Sequence, residues 1–372
     1  MGEVTARRSV QAISTKDMPA VEYEDVEAGR GTLAPSFTLK KGKSGIRFES
    51  GDVLYGKLRP YLGNRLKPNF RGVAVGDWWV LVPSSVASSF LFSLIQSPMF
   101  VTVANQSSGS KMPRADWKLV GSAAFGIPSL AEQHRIGDFF STLDSLIAAA
   151  ERQETLLRRK KQAYLQLMFP REGETEPRLR FAGYNGEWER RQFGELYVPS
   201  REKNDGSFST KDIISVAGMR YASREPADSS DDYMKTYNVM RVGDIAFEGN
   251  RSGNFSHGRF VENDLGDGIV SHVFVVLRPL PGRRYDLAFW KEAIHDEFLM
   301  RRILARSTKR STMMHEIVVP DFLKEIIRVP SLSEQQKIGE FFTTLDSAID
   351  TSRKRVELLK KQKSAYLQSM FI

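Results

Sequence analysis

Two sets of loop residues in this chain have the donors that a polyanion would engage. Lys57, Arg59, Asn64, Arg65 and Lys67 follow Gly51-Asp52, and Gln106, Ser110, Lys111 and Arg114 occupy a second loop. Asn250, Arg251, Asn254, His257 and Arg259 follow Gly243-Asp244, with Thr308, Lys309, Arg310 and Ser311 in a matching second loop. A guanidinium can fork onto guanine and a carboxamide onto adenine, so these types on loops are candidates for reading base edges. For any single one of them, phosphate contact or plain solvation is the competing account. The net charge of +9 favours a polyanionic partner, although a solvated surface tolerates it equally well.

Other chemistry is hard to find. The chain has no cysteine, which removes disulfides, thiolate zinc sites and cysteine nucleophiles together. His134, His257, His272, His295 and His315 are scattered without metal spacing, and ordinary loop or strand roles suit them. Gly42-Lys43-Ser44 has the ending of a phosphate loop, but Phe37 stands where its first glycine belongs. Asp116-Trp117-Lys118 lacks the Pro-Asp partner of a nuclease signature, and neither an adenine-methylation motif nor a methyl-donor motif is found. Trp78, Trp79 and Trp290 suit a core better than a stacking platform. No stretch reaches the roughly 20 apolar residues of a membrane span, and Met1 to Ser9 has no signal-peptide core. The expectation is a soluble, cytoplasmic, non-catalytic protein without a metal or cofactor of its own.

The elements that must position the loops come in duplicate. Residues 127–169 return as residues 329–371, with 23 identities over 43 gapless positions, while the segments before each copy share almost nothing. After Pro128, with Ser129 as a cap, no further proline interrupts the run to Phe169. Ile136, Phe140, Leu143, Ile147, Leu157, Tyr164 and Met168 step by fours and threes, as the seam of a coiled coil requires. Ile338, Phe342, Leu345, Ile349, Val356, Leu359, Tyr366 and Met370 repeat the pattern. Lys161 and Lys363 share one seam position, where each either fixes register or snorkels to solvent. Some 39 residues make a helix roughly 58 Å long. If the two helices pair within one chain and the modules lie at opposite ends, they run antiparallel. Pairing between chains in a homodimeric scaffold is the alternative, disfavoured because the internal twin has the higher effective concentration.

The modules are mixed and strand-rich. Asp52 to Tyr55, Trp79 to Val82, Asp244 to Phe247 and Val273 to Leu277 are expected strands, and Ser88 to Val103 and Leu287 to Ala305 expected helical stretches. The predicted fold is α+β: two target-binding modules separated by two long helices in an antiparallel coiled coil, with a pseudo-two-fold internal repeat. Its divisions are 1–127 for module one, 128–170 for helix one, 171–329 for module two and 330–372 for helix two.

Ile127-Pro128-Ser129-Leu130, Glu132-Gln133 and Ile136, with Tyr164-Leu165-Gln166 and Met168-Phe169, recur as Val329-Pro330-Ser331-Leu332, Glu334-Gln335 and Ile338, with Tyr366-Leu367-Gln368 and Met370-Phe371. Together with Gly186-Glu187-Trp188-Glu189 running into Phe193-Gly194-Glu195-Leu196, this combination resembles the DNA specificity subunit of type I restriction-modification systems. The resemblance implies that each module is a target-recognition domain reading one half of a bipartite, asymmetric site on double-stranded DNA. It further implies docking to modification (methyltransferase) subunits and restriction (translocase and endonuclease) subunits, with methyl donor, ATP and magnesium held by those partners. One departure stands out: the opening at Gly186 to Leu196 has no evident counterpart ahead of Met1-Gly2-Glu3-Val4, which leaves the completeness of module one open.

Overall fold

The computed structural model describes residues 1–106, 112–171, 173–223, 230–250, 255–281, 285–311 and 314–371. The chain forms two compact units: unit one comprises Met1–Gln153 with Ser352–Ile372, and unit two Glu154–Thr351. These divisions cut through the two 39-residue helices, Leu130–Met168 (helix one) and Leu332–Met370 (helix two). The sequence partition keeps the helices apart from the modules; in the structure each end of each helix shares a core with the module it touches.

Each unit is built on a four-stranded antiparallel sheet of the same order. In unit one the order is Thr5–Arg8, Trp78–Pro83, Val53–Gly56, Arg65–Leu66; in unit two it is Tyr197–Pro199, Val275–Pro279, Ile245–Glu248, Arg259–Glu262. The Gly-Asp pair ahead of the third strand is explained by its surroundings. Gly51 and Gly243 turn with φ of 92° and 88°, which favours glycine. Buried Asp52 accepts from the Glu49 backbone at 2.8 Å and pairs with Arg8, while buried Asp244 accepts from the Arg241 backbone at 2.8 Å and pairs with Arg278. The chain start also has its counterpart. Val4 N–H donates to Met1 O and Leu196 N–H to Phe193 O, and the Met1 amino group and the Phe193 N–H, each at 2.9 Å, donate to Ala123 O and Glu325 O. Met1-Gly2-Glu3-Val4 therefore matches Phe193-Gly194-Glu195-Leu196, and the part of the opening without a counterpart shrinks to the residues before Phe193.

The two expected helical stretches are each broken in two. Ser97 caps a new helix at Pro98, its hydroxyl accepting from Phe100 N–H, and Asp296 caps Glu297–Ser307 in the same way through Leu299 N–H. A side-chain oxygen at each break satisfies a backbone donor that a continuous helix would have used internally.

The repeated motif is explained by what its residues touch. The Gln133 carboxamide accepts from Ala87 N–H and donates to Pro128 O, while that of Gln335 accepts from Asp286 N–H and donates to Pro330 O. Each glutamine thus ties the start of a long helix to the start of a module helix, Ser88–Leu94 or Leu287–His295. One turn on, a methyl at Gly137 would lie 2.9 Å from the Ser89 backbone, and one at Gly339 2.9 Å from Phe289 N. Only glycine allows so close an approach.

Within each unit the two helix ends run antiparallel. In unit one Phe139 meets Tyr366 edge-on at 5.0 Å, and in unit two their repeat twins reverse the roles, Phe341 meeting Tyr164 at 5.0 Å. Lys363 pairs with Asp144 at 2.6 Å and with Gln96 Oε1; Lys161 pairs with Asp346 and with buried Glu292, both at 2.8 Å. The seam lysines are thus engaged in ion pairs and do not snorkel. Burial lowers the Lys363 ammonium pKa and raises that of the Glu292 carboxyl. Ile136, Phe140, Leu143, Ile147, Met168, Ile338, Phe342, Ile349 and Val356 are buried, and Leu157, Tyr164, Leu345 and Leu359 are half-buried. Tyr366 and Met370 depart from the expected seam, being 42% and 39% exposed, and Leu367 and Phe371 take the inward positions. Their twins Tyr164 and Met168 are covered because unit two has the further segment containing Phe181 and Trp188.

In an open helix Gly→Ala would stabilise by up to about 1 kcal/mol. At Gly339 the sign should reverse, with Gly339→Ala lowering stability by roughly 1–3 kcal/mol in urea melts, because the methyl meets backbone; a more stable variant would refute the close-approach account. Buried Glu262, which accepts from the Tyr285 hydroxyl, has its carboxyl pushed up to about 9 by desolvation. The unfolded chain loses that proton near the ordinary value and the folded chain holds it, so this group's contribution to stability falls as pH rises from about 4.5 to 9. Urea midpoints across that range should fall less steeply for Glu262→Gln; parallel curves would sink the assignment.

Candidate nucleic-acid interface

The two loops expected to carry recognition in each module do come together. In unit one the loop after Val53–Gly56 is bridged to the second loop: Arg59 N–H donates to Pro113 O at 2.7 Å and Ala115 N–H to Lys57 O at 2.8 Å. Asp77 lies between them, pairing with Lys57 at 3.4 Å and with Arg114 at 3.0 Å. In unit two Gly249 O accepts from His315 N–H at 2.9 Å, and the His257 and His315 rings meet edge-on at 5.3 Å. This joins Asn250 and His257 to the hairpin of Thr308–Arg310 and His315–Ile317, from which Lys309 and Arg310 are exposed.

Three candidates have structural duties instead. Asn64 is buried, its backbone closing the strand pair through Gly56. Arg65 turns inward to the Gly29 and Gly63 carbonyls, and desolvation lowers its guanidinium to about 10. Arg259 is held at 2.7 Å by Glu248, donates to Ala217 O and covers the Phe255 ring at 4.8 Å. Their types fit base contact, but burial and neighbouring acids, which spacing does not disclose, have already engaged them. Lys67 is exposed, and Lys111, Arg251 and Asn254 lie outside the described residues.

Arg59 is the most pointed survivor. It adopts φ 49°, a left-handed conformation that costs a non-glycine residue about 1–2 kcal/mol, and its side chain is exposed. The adjoining Tyr61 is 61% exposed. Sequence reasoning passed over this tyrosine, although Arg59-Pro60-Tyr61 offered the signal of an aromatic beside a basic residue. It also missed a groove in unit two of about 1370 Å³, whose lining includes Arg171, Arg190, Arg301, Arg302 and Phe298. The Arg301-Arg302 doublet was the available clue. Among the described residues no group of acidic and histidine side chains could hold a metal, and no helix is long and apolar enough to cross a membrane.

Two similar scaffolds, each bringing together a pair of polar loops that differ in sequence, define a two-module recognition protein. Residues 185–361 match the family model described as the type I restriction modification DNA specificity domain. The type I restriction enzyme MjaVIII specificity subunit of Methanocaldococcus jannaschii is 22% identical over 335 residues, covering 84% of this chain and 74% of its own length. The S subunit of a type I restriction-modification system from M. genitalium shares the fold, with a TM-score of 0.59 at 13% identity over 99% of this chain and 93% of its own. So does a chain from a structure on complex assembly and conformational transition of the type I R-M system, with a TM-score of 0.55 at 17% identity over 98% and 95%. Residues 185–361 thus carry a type I restriction modification DNA specificity domain, and most of the chain is similar to a specificity subunit of such a system.

Arg59→Gly should leave the urea midpoint unchanged or raise stability by up to about 1 kcal/mol, since glycine relieves the left-handed strain, while weakening DNA binding. Arg65→Met should do the opposite, costing about 1–2 kcal/mol of stability with affinity for DNA retained. Melts and fluorescence anisotropy on the same preparations decide between them; reversed outcomes would exchange the two roles.

Proposed function

We propose that this subunit supplies the DNA sequence specificity of a type I restriction-modification complex, each unit reading one half of a bipartite site. The observation that carries this is the pairing of the two polar loops beside the same sheet in both units, with different side chains in each. Arg59, Lys57 and Arg114 would read or anchor one half, and Asn250, His257, Lys309 and Arg310 the other. Because the two sets differ, the site is asymmetric.

In this reading the chain is non-catalytic. Modification subunits dock on it and carry methyl transfer, restriction subunits join them, and methyl donor, ATP and magnesium belong to those partners. The complex works on double-stranded DNA in the cytoplasm. A homodimeric scaffold is disfavoured by the seam, where Lys161 and Lys363 find their acids within the same chain.

Co-expression with the modification subunit, followed by single-molecule sequencing of methylated adenines, should return one bipartite motif. Arg59→Ala should blur only one half of it and Arg310→Ala only the other, each good base contact being worth about 1–3 kcal/mol. Lys309→Ala should weaken binding across all sequences and reduce the slope of log affinity against log salt by about 0.9. A motif indifferent to both arginines, or blurred in both halves by either one, would overturn the assignment of loops to half-sites.

A further inference from the structure

Unit two holds a concentration of positive charge that its own acids do not answer. The strands Glu189–Gln192 and Ile326–Val329 pair antiparallel with Arg190 directly opposite Arg328. Two guanidinium groups facing each other on one side of a strand pair repel, which weakens the pairing unless an anion lies between them. Both line the groove of about 1370 Å³, and so does Arg301, from the helix Glu297–Ser307. Arg171 lies over the exposed Phe298 ring at 5.5 Å in the same lining.

The acids of the groove are already engaged. Glu292 pairs with Lys161, Glu174 with Arg178, Asp296 accepts from Leu299 N–H, and Glu297 accepts from Ser256 N–H at 3.1 Å. Arg328 donates to a neutral acceptor, Trp188 O, at 3.0 Å, and the Glu187 carboxylate stands 4.0 Å away. Arg190 and Arg301 are exposed and have no ion-pair partner among the described residues. One rim of the groove is the recognition loop itself. Phe255 and His295 line it with their rings 5.2 Å apart, and Arg259 lies over Phe255 at 4.8 Å. Through Phe255 the groove continues into the segment carrying His257 and, across the His315 contact, into the hairpin that carries Lys309 and Arg310.

We propose that this groove is a phosphate track: it takes the sugar-phosphate backbone of the DNA next to the half-site of unit two, with Arg190 and Arg328 clasping one phosphate and Arg301 engaging a neighbouring one. The inference rests on the reading of unit two as a half-site reader. A phosphate between the facing arginines replaces their repulsion with forked, charge-assisted hydrogen bonds. An acidic protein segment would match the charge as well, but the groove begins at the loop assigned to DNA, so the backbone leaving those bases is the anion at hand. Phosphate contacts fix register and carry no base preference, so the groove adds affinity and orientation without altering the sequence read.

The test uses the complex with the modification subunit and a labelled duplex carrying its methylated motif. Arg190→Gln combined with Arg301→Gln should lower the slope of log affinity against log salt by about 1.8, the worth of two phosphate contacts. Hydroxyl-radical footprints should lose protection only beside the half-site that Arg310→Ala blurs, while the methylated motif stays that of the parent. The urea midpoint should hold or rise, because the change removes a facing like charge. An unchanged slope would overturn the proposal; a simultaneous loss of affinity for the modification subunit would make the groove a dock for an acidic protein surface instead. Protection lost beside the other half-site would also refute it, and a lowered urea midpoint with an unchanged slope would make the arginines structural. A parent complex that binds its motif no better than unrelated DNA would sink the half-site reading, and this inference with it; where the parent does discriminate, the groove variants test the inference alone.

Discussion

A lysine facing an aspartate across antiparallel helices sets the register on which the remaining contacts depend. Lys161 with Asp346 and Lys363 with Asp144 are the same pair of repeat positions used twice with the roles of the helices exchanged. Slipping either helix by a turn would withdraw a partly buried ammonium from its carboxylate and set it against the apolar positions of the seam. Breaking such a pair costs far more than forming it contributes, so its main effect is to exclude alternative registers. With register set, Gln133 and Gln335 meet the module helices they latch, and Gly137 and Gly339 fall where backbone must approach.

This arrangement separates what must stay constant from what can differ. The contacts that dock a module use the backbone at the start of its first helix, Ala87 N–H or Asp286 N–H, and a second partner for the seam lysine, Gln96 or Glu292. Little of this constrains the loops at 57–67 and 112–115, or at 249–259 and 308–316. The loops answer instead to local supports, Asp77 in unit one and the backbone link between Gly249 and His315 in unit two. Two divergent readers can therefore be attached to one repeated helix without re-solving the packing.

The units depart from equivalence where the repeat meets what precedes each sheet. In unit two, Trp188, Phe181 and Arg180 turn the Glu-Gln motif into a buried, paired structure, with Glu334 1% exposed. In unit one the same motif keeps its glutamine latched while its glutamate is exposed. One sequence motif thus performs two jobs, docking the module helix and receiving an arginine, and the structure separates them.

The two long helices, most of their seam and the strand that follows each Gly-Asp pair were legible in the sequence, because periodicity, apolar runs and proline placement act over a few residues. The likeness to the specificity subunits was legible for the same reason: what carries it is the repeated motif itself. Tertiary structure alone decided which basic residues remain available. Asn64, Arg65 and Arg259 have the right chemistry in the right loops, yet the Gly56 strand partner, the Gly29 carbonyl and Glu248 engage them. It alone placed Tyr366 and Met370 at the surface, although their periodicity matches that of Tyr164 and Met168. A helical period states which residues share a face; only the segments folded over that face determine whether water reaches it.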